Sequence, residues 1–141
     1  MINTTQVMLD KGAEMPYQAH DTDAGYDIIS PVNATVPAGG SVFINTGVHM
    51  LLRNGEAGLI VSKSGLNKNF SITSTGLIDA GYTGPIGVKL YNDSDEPYEV
   101  KNGDKISQIV IFDVKSPRLV QVTEFTEKTE RGDDGFGSSG R

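Results

Sequence analysis

Short stretches in which apolar and polar residues alternate constrain this chain more than any other feature. Successive side chains of a β-strand point to opposite faces, so a period of two predicts half-buried strands. Five stretches show this period: residues 41–52, 57–64, 86–92, 105–114 and 118–125. No window of eleven or more residues has the apolar spacing of an amphipathic helix. The pattern predicts an all-β fold, a sandwich or barrel of jelly-roll type.

Turn-forming residues separate these stretches. Glycine, asparagine, aspartate and proline concentrate at residues 39–40, 54–55, 93–97 and 102–103, where tight connections need positive or fixed φ angles. The 17 glycines in 141 residues exceed the usual share of about 7%. This excess predicts many tight turns or backbone surfaces that a ligand approaches closely.

Length and composition predict one domain followed by a tail. A chain of 141 residues with 37% hydrophobic residues is long enough for a single core. The alternation stops near Glu127, which predicts a body at residues 1–127 and a flexible glycine-rich tail at 128–141. The tail contains "RGDDGFGSSGR", where Phe136 lies among four glycines and two serines. Such a segment is too poor in apolar groups to fold alone.

Charge and cysteine content exclude several partners. Twelve basic against eighteen acidic residues give a net charge of −6, which disfavours nucleic acid and anionic membranes. Cysteine is absent, and no signal-peptide pattern begins the chain. The longest apolar runs, such as Ile109–Phe112, fall far short of the ~18 residues that span a bilayer. We therefore expect a cytoplasmic protein whose phosphate chemistry depends on local basic groups or a metal.

Four clusters outside the tail could carry chemistry. Residues 21–30, "DTDAGYDIIS", read alone as a polar turn that enters a strand. Residues 62–70, "SKSGLNKNF", combine hydroxyl, ammonium and backbone N–H groups in a possible anion nest, although solvated lysines near turns are common. Residues 76–84, "GLIDAGYTG", describe a hairpin tip in which Asp79 could act as a base and Tyr82 as a flat surface. In residues 102–111, Gln108 interrupts an apolar strand, and alone it indicates an outward-facing residue.

Two other chemistries find little support. His20 and His49 have no acidic partner at a recognisable spacing, and without cysteine a zinc site is not predicted. Ser64 lies in S-G-L instead of the G-x-S-x-G elbow, and no strand-to-helix context is predicted around it. A serine nucleophile is therefore not expected.

Taken in order, five strings resemble the motifs of the trimeric deoxyuridine triphosphatases: "AGYDIIS", "SKSGL", "GLIDAGYTGPIGVKLYN", "GDKISQI" and "RGDDGFGSSG". The resemblance covers residues 8–141 and agrees in order, spacing and length. It implies a jelly-roll fold and a homotrimer in which three subunits share each active site. It also implies hydrolysis of dUTP to dUMP and pyrophosphate with Mg²⁺, which limits uracil in DNA and supplies dUMP for thymidylate synthesis.

The resemblance implies a role for each matching residue. Asp79 matches the carboxylate that deprotonates the water attacking the α-phosphorus, and Asp27 matches the residue that contacts the metal through its water shell. The hairpin from Thr73 to Gly87 resembles the edge that reads uracil, with Tyr82 against the deoxyribose. The implied substrate-binding residues are Lys63, Ser64, Gly65, Thr73, Leu77, Ile78, Tyr82, Gly87, Gln108, Arg131, Phe136, Gly137 and Ser138.

Within the tail, the resemblance assigns Phe136 to the uracil ring and Arg131 to the γ-phosphate, with Gly137 and Ser138 donating to phosphates. A stacked ring contributes about 1 to 3 kcal/mol, so closure is expected only with a ligand present. We predict that the tail is disordered without nucleotide and ordered with an analogue.

Three positions depart from the family pattern. Lys63 stands where arginine is usual, so the charge is kept but the bidentate fork is lost. Thr73 stands where asparagine is frequent, and Asp134 replaces a usual glycine beside the expected phosphates. We expect these departures to tune affinity without abolishing activity.

Two alternatives come from other functional classes. A related dCTP deaminase has its catalytic glutamate where this chain has Lys89, which disfavours deamination. A nucleotide-gated regulatory binding protein is compatible with catalysis, and no partner surface for it is readable in the sequence.

Overall fold

Strands dominate the computed structural model, which describes residues 3–137 and 139–140. Over this range it contains ten strands and one short helix. In chain order they are β1 (Gln6–Leu9), β2 (Tyr26–Ile29), β3 (Ala34–Val36), β4 (Ser41–Asn45), β5 (Val48–Leu51), β6 (Glu56–Val61), α1 (Ser64–Phe70), β7 (Ile72–Asp79), β8 (Gly87–Asn92), β9 (Tyr98–Val100) and β10 (Lys105–Asp113).

Every strand pair is antiparallel. The large sheet has the order β2-β10-β6-β7-β8-β4, and two smaller sheets pair β1 with β5 and β3 with β9. Antiparallel sheets with one face on the core give the alternation seen in the sequence. The predicted all-β, jelly-roll-like fold is confirmed.

Four of the five predicted stretches contain strands. Residues 57–64, 86–92 and 105–114 correspond to β6, β8 and β10, whereas residues 41–52 divide into β4 and β5. The division comes at Gly47, which has a φ of 67° and whose N–H donates to Oδ1 of Asn45. A positive φ interrupts a strand because extended backbone requires a negative one.

The strand predicted at residues 118–125 is wrong. The chain has no regular structure after Asp113 in the described residues, and Leu119 and Phe125 are 90% and 88% exposed. Alternating apolar residues form a strand only where a neighbouring strand pairs with them. In the described part of the chain, no strand pairs with this segment.

One short helix was not predicted. The seven residues of α1 bury no side chain completely, so they lack the apolar periodicity by which helices are recognised. The helix ends at Ser71, whose φ of 55° and ψ of 32° are left-handed. In the described part of the chain, α1 is the longest helix and is far too short to cross a bilayer.

The core lies between the large sheet and the two small ones. β3, β5 and β9 contribute to it alongside β2, β4, β6, β7, β8 and β10. Its largest fully buried side chains are Ile28, Ile44, Ile60, Ile72, Ile86, Leu90, Ile106, Ile109, Val36, Val48, Val88 and Val100. Burying branched aliphatic side chains from both layers fixes the strand registers. Those registers position the residues described next.

Candidate active site

Three neighbouring strands, β2, β10 and β6, bring one acid and two lysines together. Gln108 of β10 lies opposite Asp27 of β2 on one side and Val61 of β6 on the other. Lys63 follows β6, and its Nζ lies 2.5 Å from Oδ1 of Asp27. The Nζ of Lys105 lies 3.6 Å from Oδ2 of the same carboxylate. We call Asp27, Lys63, Lys105 and Gln108 the Asp27 cluster.

The Asp27 cluster is a basic spot on an acidic protein. The carboxylate is 13% exposed and faces two ammonium groups, so the three charges leave one net positive charge. Lys105 also lies over the ring of Tyr17 at 4.3 Å, a cation–π contact that fixes its direction. Lys105 was not among the predicted site residues. Nothing in the local sequence around Lys105, "GDK" at the start of a strand, indicates a site residue, because its contact with Asp27 depends on strand register.

Gln108 is held in place by its neighbours. Its Nε2 donates to the Ser62 carbonyl at 3.0 Å. A Cβ added at Gly25 would lie 2.8 Å from its Oε1, so this glycine leaves room for the amide. Its neighbours Ser107 and Ile109 are fully buried, so Gln108 lies on the strand face that points away from the core. There its side chain is partly buried beside Asp27.

A serine network lies beneath the cluster. Ser74 and Ser107 are buried, and their hydroxyl oxygens are 2.6 Å apart. Ser107 donates to the Val61 carbonyl at 2.8 Å, and the Ser74 N–H donates to Oγ of Ser62 at 3.0 Å. These bonds tie β7 and β10, which carry predicted site residues, to the end of β6, which leads into Lys63. Buried hydroxyls that are fully hydrogen-bonded specify one arrangement of their strands.

Ser64 and Gly65 begin α1 directly after Lys63. Both are exposed, and a Cβ at Gly65 would meet no atom within 4 Å. A strand-to-helix context is therefore present at Ser64, contrary to the sequence interpretation. The hydroxyl of Ser64 makes no hydrogen bond to a histidine among the described residues, so a nucleophilic serine still lacks a base.

The predicted hairpin from Thr73 to Gly87 exists and opens toward its tip. Thr73 lies opposite Tyr91 of β8, but from residue 75 onward β7 pairs with β6. Residues 80–86, which we call the hairpin loop, connect the two strands. Within the loop, Tyr82 donates its hydroxyl to the Pro85 carbonyl at 2.7 Å. The divergence of β7 from β8 leaves backbone groups of the tip unpaired by the sheet.

The predicted residues of this hairpin differ in exposure. Leu77 and Tyr82 are exposed, whereas Ile78 packs against the core. Gly87 begins β8 beside the ring of Phe43, which any Cβ there would overlap. These positions give the open end of the hairpin an apolar surface with an adjacent carboxylate, Asp79.

Asp79 ends β7 and is exposed. Its backbone carbonyl accepts from the N–H of Tyr82 at 3.1 Å, while its carboxylate makes no ion pair among the described residues. The two acids differ in their charged partners. Asp27 is paired with two lysines, whereas the Asp79 carboxylate remains available to a water molecule.

His49 contacts the hairpin loop, and sequence spacing did not reveal this. Its Nδ1 lies 2.7 Å from the Thr83 carbonyl, and its Nε2 lies 3.0 Å from Oδ1 of Asp10. His49 thus has an acidic partner, Asp10, which lies 39 residues away and has no recognisable spacing in the sequence. Hydrogen bonds to the Thr83 carbonyl and to Asp10 raise the pKa of His49 above its ordinary value.

Among the described residues, the tail makes no hydrogen bond or ion pair to the sites above. Arg131 donates to the carbonyls of Asp134 and Gly135 at 2.9 and 3.4 Å, and the Phe136 side chain is fully exposed. Gly137 is exposed, and Ser138 lies outside the described residues. The structure thus groups Asp27, Lys63 and Gln108 but leaves the tail residues apart from them.

The Asp27 cluster has a donor set suited to a hydrated ion. Within residues 3–137 and 139–140, no group of three or more histidine, cysteine, aspartate or glutamate side chains could enclose a metal. Mg²⁺ keeps several waters and is held by one or two carboxylates together with substrate phosphates. Asp27 is the one carboxylate of the cluster and is paired with two ammonium groups, so it would contact such an ion only through water and beside bound phosphates, and the cluster does not form an all-protein cage.

Comparisons with known proteins point to one family. The dUTPase family model matches residues 11–140. A deoxyuridine 5'-triphosphate nucleotidohydrolase of Arabidopsis thaliana is 42% identical over 133 residues, 94% of this chain and 80% of that protein. The dUTPase of Staphylococcus bacteriophage 80alpha, solved with dUPNHPP, has a TM-score of 0.93 at 36% identity and covers 99% of this chain and 100% of its own.

A second phage structure bears on metals. The D95N mutant dUTPase of phage phi11 of S. aureus, described as revealing the coordination of a structural Mg(II) ion, has a TM-score of 0.82 at 33% identity. The match covers 87% of this chain and 99% of that one.

Proposed function

The chain belongs to the dUTPase family and is a dUTP nucleotidohydrolase, and from this premise we propose how its residues carry out the reaction. The triphosphate lies at the Asp27 cluster, the uracil lies along the hairpin, and Asp79 acts on the attacking water. The observation that carries the proposal is the difference between the two acids. Asp27 is paired with Lys63 and Lys105, whereas Asp79 is exposed and has no cationic partner among the described residues.

Phosphate binding needs spread positive charge. Lys63 and Gln108 present an ammonium and an amide close to Asp27, and Ser64 and Gly65 follow with open backbone. Phosphoryl transfer depends on an oriented nucleophile and on charge stabilisation more than on covalent intermediates. These residues hold the phosphates in line with the water, and Arg131, Gly137 and Ser138 of a tail complete the enclosure.

Asp27 is the residue that would hold Mg²⁺, through the ion's water shell. When bound, Mg²⁺ supplies charge neutralisation on the phosphate oxygens. Asp27 itself keeps Lys63 in place and balances its charge until the nucleotide arrives. Asp79 orients a water toward the α-phosphorus and accepts its proton, with pyrophosphate leaving and dUMP remaining.

Base and sugar selection belongs to the hairpin. The backbone near Thr73, Leu77, Ile78 and Gly87 hydrogen-bonds uracil, and Tyr82 lies against the deoxyribose. Fixed polar groups of this kind discriminate by about 10⁴ or more. Phe136 covers the uracil ring. The resulting activity limits uracil incorporation into DNA and supplies dUMP for thymidylate synthesis.

The active unit is a homotrimer with shared sites. Two observations support this: the described residues of the tail make no hydrogen bond to the Asp27 cluster or the hairpin, and Leu119, Val120, Val122 and Phe125 lie exposed in one segment. An exposed apolar segment of this size favours a protein partner. Light scattering should give three chains per particle, and a monomeric particle would contradict the shared site.

Pyrophosphate release from dUTP, dCTP, dTTP and UTP, measured in parallel, tests reaction, base and sugar together. We expect rapid release from dUTP only. Ammonia release from dCTP would instead favour the deaminase. At the position of the deaminase's catalytic glutamate this chain has Lys89, whose Nζ lies 5.2 Å from the centre of the Tyr91 ring.

A regulatory role is a second candidate, because this chain resembles a phage protein described in those terms. The 80alpha structure is described under the statement that phage dUTPases control transfer of virulence genes by a proto-oncogenic G protein-like mechanism. An Asp79→Asn variant separates the two roles: effects that need dUTP binding but survive the loss of hydrolysis would support regulation.

A further inference from the structure

Beyond the turn at its base, where the Tyr82 N–H donates to the Asp79 carbonyl, the hairpin loop is attached to the body at two points. At Ile86 the attachment is backbone pairing: its N–H donates to Val48, and its carbonyl accepts from Thr46. At Thr83 the attachment is one side chain, His49, whose Nδ1 lies 2.7 Å from the carbonyl. Among the described residues, no other side chain outside the loop hydrogen-bonds residues 80–85. His49 therefore determines where the outer part of the loop lies.

Both contacts of His49 require a donated proton. The Thr83 carbonyl can only accept, and an ionised Asp10 carboxylate can only accept. A neutral imidazole has one N–H and cannot donate to both. Only the imidazolium form satisfies the observed geometry, with Nδ1–H toward Thr83 and Nε2–H toward Asp10.

We propose that His49, as the imidazolium, is a positioning residue that holds the hairpin loop in the shape that binds the nucleotide. This inference rests on the proposed assignment of the hairpin to the uracil and sugar. When His49 loses its proton, the Asp10 carboxylate favours the Nε2–H tautomer, so the Thr83 contact is the one that is lost. The loop then keeps only its attachment at Ile86.

Asp10 is the charge that acts on His49. From β1, Met8 lies opposite His49 and carries no charge, and the hairpin loop brings Tyr82, whose hydroxyl donates to Pro85. Asp10 is itself fixed, because its N–H donates to the Gly47 carbonyl at 2.8 Å. The neighbouring Lys11 makes no ion pair with it in the described structure.

The pH dependence has a defined sign. The Thr83 hydrogen bond and Asp10 both raise the pKa of His49, against a smaller opposing effect of burial. A raised pKa means that the contact is complete below the ordinary histidine pKa and is lost as pH rises through the raised value. Nucleotide binding should weaken over that interval.

Two isosteric variants separate the two contacts. In His49→Asn the amide nitrogen takes the place of Nδ1, so it can donate to Thr83 at every pH. In His49→Gln the amide nitrogen takes the place of Nε2, so it can donate to Asp10 but not to Thr83. His20→Asn is the matched control, because the His20 ring makes no hydrogen bond in the described structure.

The test is the KM for dUTP between about pH 5.5 and 8.5, measured for the full-length protein and these variants. At each pH, every KM is divided by the KM of His49→Asn. This ratio cancels the effect that the titration of dUTP itself has on KM. For the wild type we expect the ratio to rise about three- to tenfold across the raised pKa, the scale of one hydrogen bond, with little change in kcat. His49→Gln should show the raised ratio at every pH, and His20→Asn should follow the wild type.

A wild-type ratio that stays level overturns the proposal. Nuclear magnetic resonance of His20→Asn, in which His49 is the single histidine, then shows which step failed. If the Thr83 amide signal moves with the His49 titration while KM does not, the hairpin is not the nucleotide-binding element. If the Thr83 signal stays still, His49 does not hold the loop and the proposed function is unaffected.

Discussion

The Nζ of Lys63 lies 2.5 Å from Oδ1 of Asp27, and this ion pair joins the segment before α1 to β2 across the width of β10. Gln108 lies between the two strands in register with Asp27. The pair therefore keeps a cation in place next to an amide before any nucleotide is bound. An arriving triphosphate meets a preorganised charge, which lowers the cost of ordering it.

Removing this charge should weaken nucleotide binding. For Lys63→Met we expect KM for dUTP to rise about 10- to 100-fold, because a hydrogen bond between charged groups contributes about 1.5 to 3 kcal/mol. Lys63→Arg is the matched control, and it should bind at least as well as the wild type because guanidinium contacts phosphate bidentately. Steady-state kinetics would contradict the assignment if Lys63→Met kept the wild-type KM.

Ser71 adopts a left-handed conformation with a φ of 55°, which favours glycine. Ser71→Gly should stabilise the folded protein by about 0.5 to 1 kcal/mol, because glycine adopts this conformation without the steric cost. Ser41→Gly, at the exposed first residue of β4, should destabilise it by a similar amount. Urea unfolding at matched protein concentration measures the free energy of unfolding of both variants. Equal changes of the same sign in the two variants would contradict the role assigned to the left-handed conformation of Ser71.

Asn92 organises the turn after β8 from a buried position. Its Nδ2 donates to the carbonyls of Val36 and Glu96, and its Oδ1 accepts from the N–H and hydroxyl of Ser94. Asn92→Ala should lower the free energy of unfolding by about 1 to 3 kcal/mol, because it leaves the buried Val36 carbonyl without its partner and removes the bonds that order the turn. Asn67→Ala on the exposed face of α1 is the control, and its stability should change little.

The shared site can be tested by mixing two inactive variants. Asp79→Asn lacks the base but has a tail, whereas a chain ending at residue 130 has Asp79 but no tail. Refolded together in equal amounts, they should recover about a quarter of wild-type activity per site, because each site draws the two parts from different subunits. Each variant alone should stay inactive, and the thermal midpoint of the shortened chain should remain near that of the wild type. A mixture without activity would show that each tail serves its own chain.

Local patterns predicted the strands well because their cause is local. Alternation in residues 105–114 reflects one strand with two faces, and β10 lies there. The same alternation at residues 118–125 led to a wrong prediction. Alternation shows that one face of a segment is apolar, but it does not show whether a neighbouring strand pairs with that segment. The helix α1 escaped prediction because its seven residues are positioned by the strands around it and carry no apolar stripe of their own.

The site was predictable only where a motif named a residue. Asp27, Lys63 and Gln108 came from matching strings, and the structure brings them together. Lys105 joins them through the pairing of β10 with β2, and Asp10 reaches His49 across 39 residues of sequence. Contacts of this kind depend on register and strand order, which composition and spacing do not contain. The boundary at residues 127 and 128, and the roles of the tail residues, stay predictions.

Single-turnover pyrophosphate release by Asp79→Asn tests most directly whether Asp79 activates the water that attacks dUTP. The rate should fall about 10²- to 10⁴-fold, the usual contribution of a general base, while the affinity for dUPNHPP stays at the wild-type value. Asp113→Asn, which removes another exposed carboxylate at a strand end, should release pyrophosphate normally. Wild-type release by Asp79→Asn would contradict the account.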